Sequence, residues 1–201
     1  MFIELTDQLR CPVDHAESFL VLIPDAMEGR RVVRGTLGCP LCRAEYRIED
    51  GVADFRGTAP TQRRVDHPAV SRPDAEALLA FLALQGPGGY VGLVGEACRQ
   101  ADGLAELLPG VHMALVNPPV GMLAGAASSI LWAPSLPFKA RSLRGIVLGQ
   151  PESAEASWQA DAVHAVLPGL RAVGEGTGPV LQGFEILGAA EGWWVGRTLT
   201  P

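Results

Sequence analysis

The spacing of apolar positions divides the chain into two parts. In residues 1–57, short apolar or alternating runs at 19–23, 30–37 and 44–48 are separated by turns that contain glycine and proline. Such runs predict a β-hairpin followed by a third strand. We therefore expect the first part of the chain to be a small β-rich module.

From residue 74 onward, segments with helical spacing alternate with short apolar runs. They predict helices at 74–84, 96–108, 120–126 and 154–172, and strands at 90–95, 112–116, 129–132, 143–148, 180–187 and 193–199. This alternation is typical of a doubly wound α/β fold with mostly parallel strands. The stretch between the two parts is polar, contains proline and has no periodicity. We therefore expect a module at 1–57, a linker at 58–73 and an α/β domain at 74–201.

The composition is that of a folded, acidic protein, with 48% hydrophobic residues and a net charge of −6. Basic residues form no cluster beyond short pairs, so no nucleic acid is expected as a partner. No apolar run reaches the roughly 18 residues of a membrane helix, and no membrane partner is expected. The N-terminus does not resemble a secretion signal, and the four cysteines suggest no disulfide framework, so we expect a cytoplasmic protein.

Three cysteines in the first part have the spacing of metal ligands. Cys11 opens a Cys-Pro turn, and Cys39 and Cys42 belong to a Cys-Pro-x-Cys turn about thirty residues later. Two such turns can present four ligands to one tetrahedral zinc ion, but the fourth cysteine is missing. Asp14 lies at the expected position and His15 follows it, so either is a candidate fourth ligand. The alternative is a metal-free hairpin with three buried thiols.

The residues around these cysteines resemble a known family. Leu-x-Cys-Pro, a hairpin, Gly-x-Leu-x-Cys-Pro-x-Cys and then Tyr46-x-Ile48-x-Asp50-Gly51-Val are similar to the small zinc-ribbon family that includes methyltransferase activators. The same ribbon also occurs fused ahead of class I methyltransferase domains. The resemblance covers about residues 8–56 and implies a structural zinc ion.

The second part resembles class I methyltransferases. Leu136-Pro137-Phe138 before a predicted strand, and its spacing from Gly95 and Asn117, match that family's pattern. The resemblance implies a Rossmann-like, doubly wound methyltransferase-type sheet behind the zinc-ribbon-like module. It also implies that S-adenosylmethionine would bind at the carboxyl edge of the strands.

The positions that hold this cofactor in the family are altered here. Gly95 matches the first glycine of the loop after the first strand, but Leu93 stands where an acidic residue is expected. Asn117 replaces the carboxylate that grips the ribose hydroxyl groups, and Trp132 replaces an acid that holds the adenine amino group. Glu96 is the remaining polar residue at this edge. The degenerate pocket would therefore consist of Gly95, Glu96, Asn117 and Trp132, and no catalytic base is evident.

The sequence leaves two functions open. The first is a methyltransferase-like pseudoenzyme, with altered S-adenosylmethionine motifs, that acts as a binding or accessory subunit for a protein partner or for a second copy of itself. The alternative is an active S-adenosylmethionine-dependent methyltransferase with a divergent cofactor pocket. Binding of the cofactor discriminates between them.

Overall fold

In the computed structural model, which describes residues 1–57 and 73–199, the short apolar runs form the strands of one mixed sheet. The strands of these residues are β1 (Val21–Glu28), β2 (Arg31–Gly38), β3 (Glu45–Glu49), β4 (Val52–Asp54), β5 (Tyr90–Val94), β6 (His112–Val116), β7 (Ser128–Trp132), β8 (Leu143–Leu148), β9 (Val166–Glu175), β10 (Phe184–Ala190) and β11 (Trp193–Thr198). The helices are α1 (Ala75–Leu82), α2 (Ala101–Leu107) and α3 (Ala156–Ala165), together with 3-10 helices at Ile3–Gln8, Gly95–Gln100 and Glu152–Ala154.

The sheet has the order β1-β2-β3-β4-β7-β6-β5-β8-β9-β11-β10. In this order, the six consecutive strands from β4 to β9 are parallel to one another. The remaining strands, at both ends of the sheet, pair antiparallel with their neighbours. Strands β5, β6 and β8 are almost entirely apolar and buried, as expected for strands covered on both faces. The mixed α/β fold with a parallel central sheet, predicted from the sequence, is confirmed.

Two apolar clusters cover the two faces of the sheet. Along β8, Ile146 and Leu148 belong to one cluster and Val147 to the other, because successive side chains of a strand point to opposite faces. The first cluster also contains the buried residues of the N-terminal module, such as Leu37 and Tyr46. The N-terminal module and the α/β part therefore share one core.

A parallel pairing of β4 with β7 joins the N-terminal module to the central sheet, with Val52 opposite Ile130 and Asp54 opposite Trp132. The sequence pattern does not predict this pairing, because β4 lies beyond the three runs that predict strands in the first part of the chain. The division into domains at 1–57 and 74–201 stays a prediction. The expected linker lies, apart from Pro73, outside the described residues.

Several predicted elements differ from the observed ones. The helix expected at 154–172 ends at Ala165, and the rest of that stretch belongs to β9. Pro168 and Gly169 oppose a helix there, because proline removes a backbone donor and glycine costs conformational entropy. No helix is found at 120–126, where Pro118, Pro119 and Gly121 interrupt helical backbone. Among the described residues, no helix is long and apolar enough to cross a membrane.

The direction in which successive strands are added to the sheet reverses between β5 and β8, which are parallel neighbours. From β5 the chain builds β6 and β7 on one side, and then returns to place β8 on the other side of β5. In open α/β sheets, ligands bind in the crevice outside the carboxyl ends of the strands at such a switch point. The loops that leave β5 and β8 therefore border the position where a ligand is expected.

Candidate functional site

Four metal-ligating side chains meet in the N-terminal module. The sulfur atoms of Cys11, Cys39 and Cys42 and a ring nitrogen of His15 all lie within 4.8 Å of one another. Cys11 and His15 lie on the loop that precedes β1, and Cys39 and Cys42 lie on the turn between β2 and β3. The hairpin formed by β1 and β2 thus brings together ligands that are about thirty residues apart in sequence.

The distances within this cluster fit a tetrahedral zinc ion. The sulfur atoms of Cys11 and Cys42 are 3.7 Å apart, and Cys39 Sγ is 3.5 Å from His15 Nε2. In a tetrahedral zinc site, the Zn–S and Zn–N bond lengths place two sulfur atoms about 3.8 Å apart and a sulfur and a nitrogen about 3.6 Å apart. Four protein ligands would leave no open coordination position, which is the arrangement of structural zinc sites.

His15, and not its neighbour Asp14, belongs to the cluster. The Nδ1 atom of His15 lies 2.6 Å from the carbonyl oxygen of Ala16 and can donate a hydrogen bond to it. That hydrogen bond leaves the lone pair of the neutral ring on Nε2, the nitrogen that faces Cys39. Asp14 is exposed and is not part of the cluster.

The thiols have different proton affinities. Burial raises the pKa of Cys11 to about 11. For Cys39 burial also acts upward, but the backbone N–H groups of Cys42 and Leu41 lower its pKa to about 6. A bound divalent cation would stabilise the thiolate form of all three cysteines.

Tyr46 supports the cluster from the third strand. Its hydroxyl group lies 3.1 Å from Cys11 Sγ and its side chain is buried. When Cys11 is a thiolate, the hydroxyl donates to the sulfur, as groups around metal ligands commonly do. Burial raises the pKa of Tyr46, so the hydroxyl keeps its proton. The sequence showed Tyr46 only as part of the ribbon pattern, and the structure gives it this contact.

The loops after β5 and β8 are joined to each other by backbone hydrogen bonds. The N–H of Glu96 donates to the carbonyl of Gln150 at 3.0 Å, and the N–H of Gly149 donates to the carbonyl of Val94 at 3.0 Å. These two bonds lie at the switch point where the sheet architecture places a ligand. The bond between Gly149 and Val94 extends the pairing of β5 with β8, and the bond between Glu96 and Gln150 holds the two loops against each other.

Gly95 has no free space around it. Its φ is +64°, and a Cβ built on it would lie 2.6 Å from the Glu152 carboxyl oxygen Oε2 and would overlap the carbonyl oxygen of Gln150. Residues that follow β8 therefore fill the space beside Gly95.

Asn117 is bonded within the protein on both sides of its amide. Its Nδ2 donates to Glu152 Oε1 and to the carbonyl of Ala133, each at 2.9 Å. Its Oδ1 accepts from the N–H of Ala133 at 2.9 Å. A ligand that needed this side chain would have to replace these bonds.

Glu96 and Trp132 have partners of their own. Glu96 is buried and accepts a hydrogen bond from Arg99 Nε at 2.7 Å. Trp132, at the end of β7, is faced by the guanidinium group of Arg56, whose Cζ lies 5.0 Å from the ring centroid. The structure therefore brings Gly95 and Asn117 together around Glu152, while Trp132 contacts the N-terminal module.

Sequence reasoning did not select Glu152. The residue is buried and follows β8 at the same edge as Gly95 and Asn117. Its position after the fourth strand of the α/β part was the available signal. Two surface cavities, of 440 and 470 Å³, lie elsewhere and are lined by none of Gly95, Glu96, Asn117, Trp132 and Glu152.

No protein-family model and no curated protein match the sequence. Among solved structures, the antibiotic-resistance methyltransferase Kmr is 18% identical over 65% of this chain and 95% of its own, with a TM-score of 0.45. Phosphoethanolamine N-methyltransferase 2 of Haemonchus contortus, in complex with S-adenosyl-L-methionine, is 15% identical over 54% of this chain and 30% of its own, with a TM-score of 0.40. A 16S rRNA methyltransferase of T. thermophilus, in complex with AdoMet and guanosine, is 14% identical over 90% of this chain and 45% of its own, with a TM-score of 0.33.

Proposed function

We propose that this chain is a non-catalytic, methyltransferase-like protein that acts as a binding or accessory subunit and carries a structural zinc ion. The observation that carries the proposal is the closed crevice between the loops after β5 and β8. Its hydrogen bonds and the position of Glu152 leave the altered cofactor motif without room for a ligand.

Opening the crevice would cost free energy that a cofactor must supply. At least two hydrogen bonds would break: Glu96 to Gln150, and Asn117 to Glu152. Each such bond contributes roughly 0.5–1.5 kcal/mol to stability. The sum, about 1–3 kcal/mol, weakens binding roughly 5-fold to 150-fold. The residues present do not fit S-adenosylmethionine.

Calorimetric titration with S-adenosylhomocysteine tests the proposal. We expect no heat of binding up to millimolar ligand, while a methyltransferase known to bind the product gives a normal isotherm in the same buffer. Micromolar affinity for this chain would overturn the proposal. It would also favour an active methyltransferase with a divergent pocket.

The zinc site is tested by metal analysis of variants at adjacent positions. We expect about one equivalent of zinc in the wild type and in Asp14→Ala, and loss of the metal in His15→Ala, because only His15 lies among the three thiols. The two variants are a matched pair, since both shorten a polar side chain of the same loop. Metal retained in His15→Ala and lost from Asp14→Ala would overturn this assignment.

Exposed apolar side chains support the binding role. Val120 and Leu123 are 82% and 85% exposed on the loop that follows β6, beside the closed crevice. Phe19, Ile23 and Leu41 are exposed on the N-terminal module. Exposed apolar groups of this kind mark contact surfaces when they are clustered. We infer that a protein partner covers one of these surfaces.

A further inference from the structure

The two end strands of the sheet differ in how they are protected. Exposed edge strands tend to pair with other chains, and proteins usually prevent this with proline, charged residues or bulges. β1 carries Pro24, Asp25 and Glu28 and has register irregularities around Asp25. β10, at the opposite end, contains neither proline nor lysine, although its register shifts once, between Ile186 and Gly188.

The backbone of β10 directs polar groups to its outer side, where the N–H of Phe184 donates to the carbonyl of Leu181 at 3.3 Å. Among the described residues, β11 is the only strand that pairs with it. The carbonyl of Gly183 accepts from the N–H of Leu199, and the carbonyl of Glu185 also faces β11. Because backbone groups alternate along a strand, Phe184 and Ile186 direct their N–H and C=O groups away from β11.

The side chains of this edge are apolar and accessible. Ile186 and Leu187 are 41% and 42% exposed, and the three small residues after them, Gly188, Ala189 and Ala190, are exposed as well. The single ionisable residue of the strand is Glu185, which forms an ion pair with Arg197 at 2.7 Å.

We propose that β10 is the dimerisation surface of this protein, and that a second copy pairs with it through its own β10 in antiparallel orientation. A two-fold axis between the copies makes such an interface self-complementary. The outward N–H and C=O groups of each strand, from Ile186 onward, would then bond to those of the other strand, and the two sheets would form one continuous sheet.

The residue sizes along β10 fit this pairing. The large residues Phe184 and Ile186 lie in its first half, Leu187 is its central residue, and the small residues of 188–190 occupy its second half. In an antiparallel pair of identical strands, the first half of each copy lies opposite the second half of the other. Large side chains therefore meet small ones on either side of a central pair of Leu187 side chains, which allows close packing.

Charge does not oppose the pairing, although the chain has a net charge of −6. The only carboxyl group on β10 is already paired with Arg197, and in the antiparallel arrangement it lies near the small residues of the other copy. Like charges directly opposite each other, which destabilise strand pairs, are therefore avoided.

Sedimentation equilibrium over a concentration series tests the proposal on the full chain. We expect the wild type to dimerise, and Ala189→Asp to raise the dissociation constant at least about tenfold, because it places a carboxylate near Glu185 of the other copy in both halves of the interface. Ala80→Asp is the matched control, since Ala80 is also exposed but lies on α1. Leu187→Asp is a second variant on the edge, and circular dichroism verifies that each variant is folded.

A monomeric wild type at every concentration would overturn the proposal. The proposal would also be overturned if Ala189→Asp and Leu187→Asp were folded and dimerised as tightly as Ala80→Asp. The dimer does not depend on whether the crevice binds a cofactor, so the calorimetric result leaves this test unaffected.

Discussion

The side-chain amide of Asn117 donates to Glu152 Oε1 at 2.9 Å, across 35 positions of sequence. The residue after β6 is thereby bonded to the residue that follows β8, at the edge where sheets of this type bind ligands. The asparagine is suited to this contact because its NH2 group is a donor, whereas an aspartate would be an acceptor only. The amide at position 117 therefore allows a hydrogen bond between the loops after β6 and β8 that a carboxylate could not donate.

Asn117→Asp is expected to destabilise the protein by about 2–4 kcal/mol at neutral pH. The substitution places the new carboxyl group in contact with that of Glu152, and the carbonyl of Ala133 loses the N–H group that donates to it. The loss should shrink as the pH falls and the two groups share a proton. Urea unfolding at neutral and acidic pH measures both effects.

The double variant Asn117→Asp/Glu152→Gln is the control for that experiment. It exchanges the acid and the amide, so the bond between positions 117 and 152 can form again, and part of the lost stability should return. If Asn117→Asp were as stable as the wild type and bound S-adenosylhomocysteine, the crevice would be an open cofactor pocket.

Gly95→Ala is expected to cost about 3–5 kcal/mol of unfolding free energy, because a side chain at φ +64° is strained and its Cβ meets Gln150 and Glu152. Gly121→Ala is the matched control. Gly121 has φ +82° but no atom within 4 Å of the added Cβ, so only about 1 kcal/mol is expected. Chemical denaturation of the two variants gives the comparison. Equal losses of unfolding free energy in Gly95→Ala and Gly121→Ala would mean that the loops after β5 and β8 separate easily.

Tyr46→Phe is expected to weaken zinc binding about tenfold or more without unfolding the protein, because it removes the hydroxyl group beside Cys11 Sγ. Tyr90→Phe is the control, since Tyr90 is also buried but its hydroxyl group has no hydrogen-bond partner in the described part of the chain. Competition with a chromophoric chelator measures both affinities. Equal affinities in the two variants would show that Tyr46 does not support the metal site.

Local sequence patterns were sufficient for the parts of the structure that depend on local burial. β6 and β8 were predicted at their exact bounds, 112–116 and 143–148, because an uninterrupted apolar run between polar turns identifies a buried strand. The three cysteines of the metal cluster were predicted for a similar reason, since ligand spacing within a turn is a local property. The fourth ligand was left open between Asp14 and His15, because loop backbone conformation decides which of two neighbours turns inward.

Contacts between distant segments could not be read from the sequence. The pairing of β4 with β7 and the bond between Asn117 and Glu152 depend on how separate elements are arranged in the sheet. The sequence pattern predicts a helix over residues 166–172, the first part of β9, because the apolar residues there continue the helical spacing of α3. Pro168 and Gly169 argue against a helix in this stretch. Tertiary pairing decides such ambiguous stretches.

The amino group of Met1 gives the protein a pH dependence that can be measured directly. It donates to the carbonyl groups of Val32 and Gly51, and burial, followed by the nearby charge of Arg31, lowers its pKa from 8.0 to about 6. The unfolded state then binds more protons than the folded state between pH 6 and pH 8, so stability is full above pH 8 and decreases as the pH falls to 6.

For a chain with a free Met1 amino group, we expect this loss to be about 1–2 kcal/mol, because solvent screening reduces the effect of the full shift. Urea unfolding at intervals between pH 6 and pH 8 measures it. The N-terminally acetylated chain is the control, since it has no amino group to titrate but keeps every histidine. The slope of stability against pH should be smaller in the acetylated chain, and equal slopes would mean that the amino group of Met1 is not desolvated in the folded protein.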